Sequence, residues 1–91
     1  MEDFDKSMES LREKLSEQSW PNVYFFKFIV PSSNEQISKV CALFDETADI
    51  KIKESSNGKF TSVSIKTVAV DVDAIIDIYR QAKDIEGIIS L

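Results

Sequence analysis

Between Val23 and Val30 the chain reads Val-Tyr-Phe-Phe-Lys-Phe-Ile-Val and then meets Pro31. A run this rich in aromatic and β-branched residues builds a strand, and a proline, with no N–H to donate, closes it. Strand alternation puts Tyr24, Phe26, Phe28 and Val30 on one face and Val23, Phe25, Lys27 and Ile29 on the other. Lysine is seldom buried without a partner, so the Lys27 side is expected to be open and the Tyr24 side to face a core. A strand buried on one side needs a layer of helices over that side.

The rest of the chain supplies that layer and the remaining strands. Ser32 or Ser33, with Glu35 or Gln36 completing a capping box, starts a helix whose Ile37, Val40, Cys41 and Phe44 share one stripe. From Ala48 to Ser55 the period becomes two, which turns Ile50 and Ile52 inward and Lys51 and Lys53 outward. Asn57-Gly58 then predicts a tight type I′ hairpin leading straight into a strand over residues 59–70. In that strand Thr61, Val63, Ile65, Thr67 and Ala69 face the core, opposite Phe60, Ser62, Ser64, Lys66 and Val68. Asp71 or Asp73 caps a second helix with a broad face of Val72, Ile75, Ile76, Tyr79 and Ala82, and Gly87 lies near its C-cap. Ile88 to Leu91 complete the sheet as a short fourth strand.

The order βαββαβ with right-handed crossovers predicts an α+β, ferredoxin-like two-layer sandwich, a four-stranded antiparallel sheet in the order 4-1-3-2. Ahead of it Phe4, Met8, Leu11 and Leu15 draw one narrow apolar stripe on an amphipathic helix. The chain therefore divides into a helix and linker over residues 1–19 and a single domain over residues 20–91. The exposed Val23, Phe25, Ile29 and Phe60 are expected to be covered by this helix or by a second subunit, and the sequence does not choose between docking within the chain and across a homodimer.

Composition removes whole classes of chemistry. With no histidine and only Cys41, zinc sites of the usual ligands, internal disulfides and histidine-based triads are out of reach. Neither a cofactor nor catalysis is expected. The longest apolar run falls far short of the ~20 residues that span a bilayer, and the acidic start MEDFDKSMES is unlike a signal peptide, so the expected location is the cytoplasm.

Two blocks resemble a known family. Trp20-Pro21 precedes a strand with Lys27 near its middle, and Ser55, Ser56, Gly58, Phe60, Ser62 and Val63, with Asn57 between, fit a Ser-Ser-x-Gly-x-aromatic-x-Ser-Val hairpin block. These features resemble the YbeD-like family of small bacterial proteins, a domain of unknown function (number 493). The resemblance covers residues 20–91 and departs at Val30-Pro31, where many members carry glycine. It implies a fold similar to the regulatory ACT domains; some members are labelled lipoate regulators.

Charge is unevenly spread over a net −5. Residues 1–19 hold three basic and six acidic groups, residues 20–70 six and five, residues 71–91 two and five. Alternation gathers Lys27, Lys51, Lys53 and Lys66 on the open face. The candidate ligand site is Phe25, Lys27, Phe60, Ser62, Ser64 and Lys66, with lysines holding a carboxylate or phosphate and serines adding hydrogen bonds. The leading expectation is a non-catalytic regulatory or interaction module for a small acidic metabolite or a protein partner. The alternative is single-stranded nucleic acid stacked on Phe25 and Phe60, which the net charge and the missing second aromatic after Phe60 oppose. Asp71, Asp73 and Asp77 belong to a helix start, where they favour the helix dipole.

Overall fold

In the computed structural model, which describes residues 2–91, the order is α1 (Glu2–Leu15), β1 (Asn22–Pro31), α2 (Asn34–Cys41), β2 (Asp49–Glu54), β3 (Phe60–Ala69), α3 (Val72–Ala82) and β4 (Ile89–Ser90). The strands form one antiparallel sheet in the order β2-β3-β1-β4, the expected 4-1-3-2. β1 pairs with β3 along its full length, from Asn22↔Ala69 to Pro31↔Phe60. The core is the expected one: Phe26, Phe28, Val30, Thr61, Val63, Ile65 and Ala69 from the sheet meet Val40, Val72, Ile75, Ile76 and Tyr79 from the helices. Phe26 touches the rings of Tyr24, Phe28, Phe44 and Tyr79 at centroid distances of 4.8–5.8 Å, the range in which aromatic pairs attract beyond their buried area.

α1 is where the structure departs most from expectation. It does not lie on the open face. It packs beside α3 in the helical layer, with Leu15 buried and Phe4, Met8 and Leu11 against the core. Arg12 reaches Asp73 at 2.6 Å, and the Lys83 ammonium sits 5.5 Å from the Phe4 ring centre. The Trp20 indole N–H donates to the Leu15 carbonyl at 2.9 Å, tying the linker to the helix end. The Trp20–Pro21 peptide is cis.

Four local expectations also change. The hairpin is wider than a two-residue turn, because Ser55 N–H donates to Phe60 C=O across the loop 56–59. Only Gly58, at φ +73°, takes positive φ, which excludes type I′; the Asn57 carboxamide oxygen instead accepts from Lys59 N–H and Ser55 Oγ. Ser33 occupies the N-cap of α2 without a side-chain bond, so no capping box forms, while Ser32 Oγ bonds Thr61 Oγ1 at 2.8 Å. Ile52 is 54% exposed, since α2 lies over β1 and β3 and leaves edge strand β2 uncovered. Gly87 is not the C-cap of α3, a place held by Lys83; it turns the chain into β4 against Pro31. Asp71 caps α3 as expected, accepting from Ala74 N–H at 2.8 Å.

Candidate functional site: the open sheet face

With both α1 and α3 on one side of the sheet, the other side carries no element of the chain. Register orders its residues in rows. Lys51, Ser64 and Lys27 form one row, which Leu91 extends by donating its N–H to the Lys27 carbonyl at 2.9 Å. Asp49, Lys66 and Phe25 form the next row. On the far side come Lys53, Ser62, Ile29 and Ile89, then Phe60 with Pro31.

The surface is not flat. Phe25, Lys27, Asp49, Lys51, Ser64, Lys66 and Leu91 rim a depression of about 410 Å³. Ser64 stands on its central strand between two lysines, and its Oγ has no partner among the described residues. The strands carrying Lys27 and Lys51 are roughly 10 Å apart across β3, with Ser64 between them. Lys66 lies 5.9 Å from the centre of the Phe25 ring, which is 67% exposed. None of Lys27, Lys51 and Lys66 joins an ion pair among the described residues. Asp49 is the one carboxylate side chain on this rim, among three lysines.

The six residues read from the sequence as a site share one face but not one pocket. Phe25, Lys27, Ser64 and Lys66 line the lysine depression, whereas Phe60 and Ser62 line a second one of about 330 Å³ with Ile29, Lys53, Glu54, Ser55 and Ser56. Ser62 Oγ is occupied by the Lys53 carbonyl at 3.3 Å. Phe60 lies along β3 from Lys66, the partner of Phe25, at a separation of roughly 20 Å for strand geometry. Two aromatics that far apart do not form a stacking platform for adjacent bases. Lys51 is the residue the sequence-based site omits; its pairing opposite Ser64 places it beside Lys27. Trp20, Pro21, Ser55, Asn57 and Gly58 make the linker and hairpin contacts described above.

Among the described residues no group of three or more His, Cys, Asp or Glu is arranged to hold a metal, and no helix is long and apolar enough to cross a membrane. On the helical side, burial and the 3.0 Å contact with Tyr24 Oη push the Tyr79 phenol well above its ordinary 10.0. That pair lies among core rings, away from the open face.

Comparison with curated proteins and with solved structures finds no match. The family described as "Protein of unknown function (DUF493)" matches residues 16–91, which takes in the whole sheet, α2 and α3 and leaves α1 outside. On that match over most of its length, the chain belongs to the DUF493 family.

Proposed function

We propose that this protein is a non-catalytic binding domain whose open sheet face takes an acidic partner, in its simplest form a small ligand bearing carboxylate or phosphate. The observation that carries the reading is the row Lys51–Ser64–Lys27 with Lys66 beside it: three unpaired cations around a hydroxyl with no partner, in a depression of about 410 Å³. Like charges held this close repel at moderate salt, where the screening length is ~10 Å. An anion between them removes that repulsion and accepts charge-assisted hydrogen bonds from the ammonium groups. Phe25 and Leu91 supply an apolar flank for the rest of the ligand. The likeness to regulatory ACT domains that the family resemblance implies would agree with this reading by analogy.

Single-stranded nucleic acid is less well supported, because Phe25 and Phe60 are separated along the sheet and the net charge is −5.

Thermal-shift titration with inorganic phosphate, pyrophosphate and citrate at ~0.1 M salt tests the proposal. At least one probe should stabilise the protein, and Lys27→Glu or Lys51→Glu should abolish the effect while Lys14→Glu on α1 leaves it. Stabilisation unchanged by the two face reversals, or absent for all three probes, refutes the site.

A further inference from the structure

The two edges of the sheet are not alike. Edge strand β2 carries Lys51 and Lys53 and ends the sheet with exposed, charged residues, the ordinary defence against strand addition. The opposite edge is only partly closed. β4 pairs with β1 at Phe28↔Ser90 and Ile29↔Ile89, and the Leu91 N–H adds a bond to Lys27 C=O. From Asn22 to Phe26, β1 has a partner on its β3 side only.

Which backbone groups are free follows from parity. Successive residues of a strand send their N–H and C=O to opposite edges. The Lys27–Leu91 bond therefore assigns the odd-numbered residues of β1 to the β4 side. Val23 N–H is already held by Asn22 Oδ1 at 2.7 Å. Phe25 N–H, Phe25 C=O and Val23 C=O remain, in line with β4 and just beyond it. The edge they form runs through Val23, Tyr24, Phe25 and Phe26, without a lysine or a bulge to deter pairing.

We infer that this edge is a docking site for one extended acidic peptide, added antiparallel to β1 in line with β4. Charge selects the occupant, and to that extent the inference rests on the reading of the open face given above. Side chains of the added strand opposite Phe25 and Val23 emerge on the open face, beside Phe25 and within reach of Lys27 and Lys66. A second copy of this chain fits less well. In a two-fold pairing of Phe25 with Val23 that leaves Leu91 in place, the Val23 N–H held by Asn22 leaves each Phe25 C=O without a donor. The added strand thus comes from a partner protein, and acidic residues alternate along it with apolar ones that face the helical side.

The test uses the synthetic peptide Ac-Glu-Val-Glu-Val-Glu-Val-NH2 and two N-methylated analogues, with binding followed by amide shifts and amide exchange of the full chain. Residues whose side chains share the open face with Phe25 send their N–H toward β1. N-methylation of the glutamates should therefore weaken binding about tenfold or more, since each net hydrogen bond is worth roughly two- to tenfold. N-methylation of the valines, whose N–H groups face solvent, should leave binding within about twofold. The Phe25 amide should exchange more slowly in the complex. If both analogues bind as the parent does, with shifts confined to Lys27, Lys51 and Ser64, the peptide docks by charge alone; strand addition is then refuted and the anion reading stands. Failure of the peptide to bind while phosphate or citrate does bind refutes it equally. Protection of Phe25 that grows with protein concentration and needs no peptide assigns the edge to a second copy and overturns the inference.

Discussion

Gly87→Ala should be among the most damaging single-methyl changes in this protein, and Gly58→Ala serves as its internal control. Both glycines have nearly the same φ, +76° and +73°, so an L-residue at either position meets a similar positive-φ cost of about 1 kcal/mol. They differ in surroundings. A Cβ on Gly58 meets only the end of the flexible Glu54 side chain at 3.1 Å, which swings away. A Cβ on Gly87 meets Pro31 Cγ at 2.8 Å and Cδ at 2.9 Å, well inside the ~3.5–4.0 Å of a favourable carbon contact. The pyrrolidine has no rotamer to change, and Pro31 is held opposite Phe60 in the β1–β3 ladder. Overpacking of this kind costs ~1–3 kcal/mol, which brings Gly87→Ala to about 2–4 kcal/mol against about 1 for Gly58→Ala. Urea melts of the two variants measure the difference directly. Pro31→Ala removes both clashing atoms, so in that background the cost of Gly87→Ala should fall to that of Gly58→Ala. Equal costs for the two glycine variants, or the absence of coupling to Pro31, would refute the steric argument.

Two further predictions address the helical layer. Leu15→Ala should cost about 2–4 kcal/mol because Leu15, the last residue of α1, is buried in the core, whereas Phe25→Ala on the bare face should stay within about 0.5 kcal/mol; comparable losses in urea melts would mean that α1 covers the open face after all. Raising the Tyr79 pKa above 10.0 means that the folded chain holds the phenolic proton more tightly than the unfolded one does. The associated stability is complete below pH 10 and is lost above it, so wild-type urea midpoints should fall more steeply than those of Tyr79→Phe between about pH 9 and about pH 11; parallel slopes would contradict this.

Parity carried most of what could be read from the chain. Alternation in Val23–Val30 and in Phe60–Ala69 sorts core from open face correctly at each position, because a strand leaves only two directions for a side chain. Even the hairpin register was within reach: a two-residue loop at Asn57-Gly58 and the wider loop closed by Ser55 and Phe60 both set Lys51 opposite Ser64. Widening a turn by one residue on each strand leaves the register unchanged, so the wrong turn type still leads to the right neighbours. The β1–β3 register is another matter, since a helix and a hairpin intervene and no local signal counts residues across them. Hence Phe60 and Ser62 were grouped with Phe25 on the right face but at the wrong end of it. The placement of α1 was illegible for a different reason. A stripe of Phe4, Met8, Leu11 and Leu15 is attracted to any apolar surface, because burial is non-directional. The contacts that α1 makes beside α3, Arg12 with Asp73 and Phe4 with Lys83, pair residues about 60 or more apart in the chain and leave no local signal.

That choice determines how the molecule presents charge. α1 and α3, which belong to the two net-negative segments 1–19 and 71–91, lie together in the helical layer, and the lysines of β1, β2 and β3 face the opposite side with Asp49 among them. A net charge of −5 would by itself repel an acidic partner. The relevant comparison, though, is between the thickness of the protein and the reach of its field. The shortest extent of the fold is 20 Å, about twice the screening length of ~10 Å at 0.1 M salt. An acidic group approaching the sheet is therefore within reach of Lys27, Lys51 and Lys66 while the acidic helices behind it are screened. Approach from the helical side meets the net-negative α1 and α3 first. If the open face takes an acidic partner as proposed, the net charge then favours the orientation that presents this face.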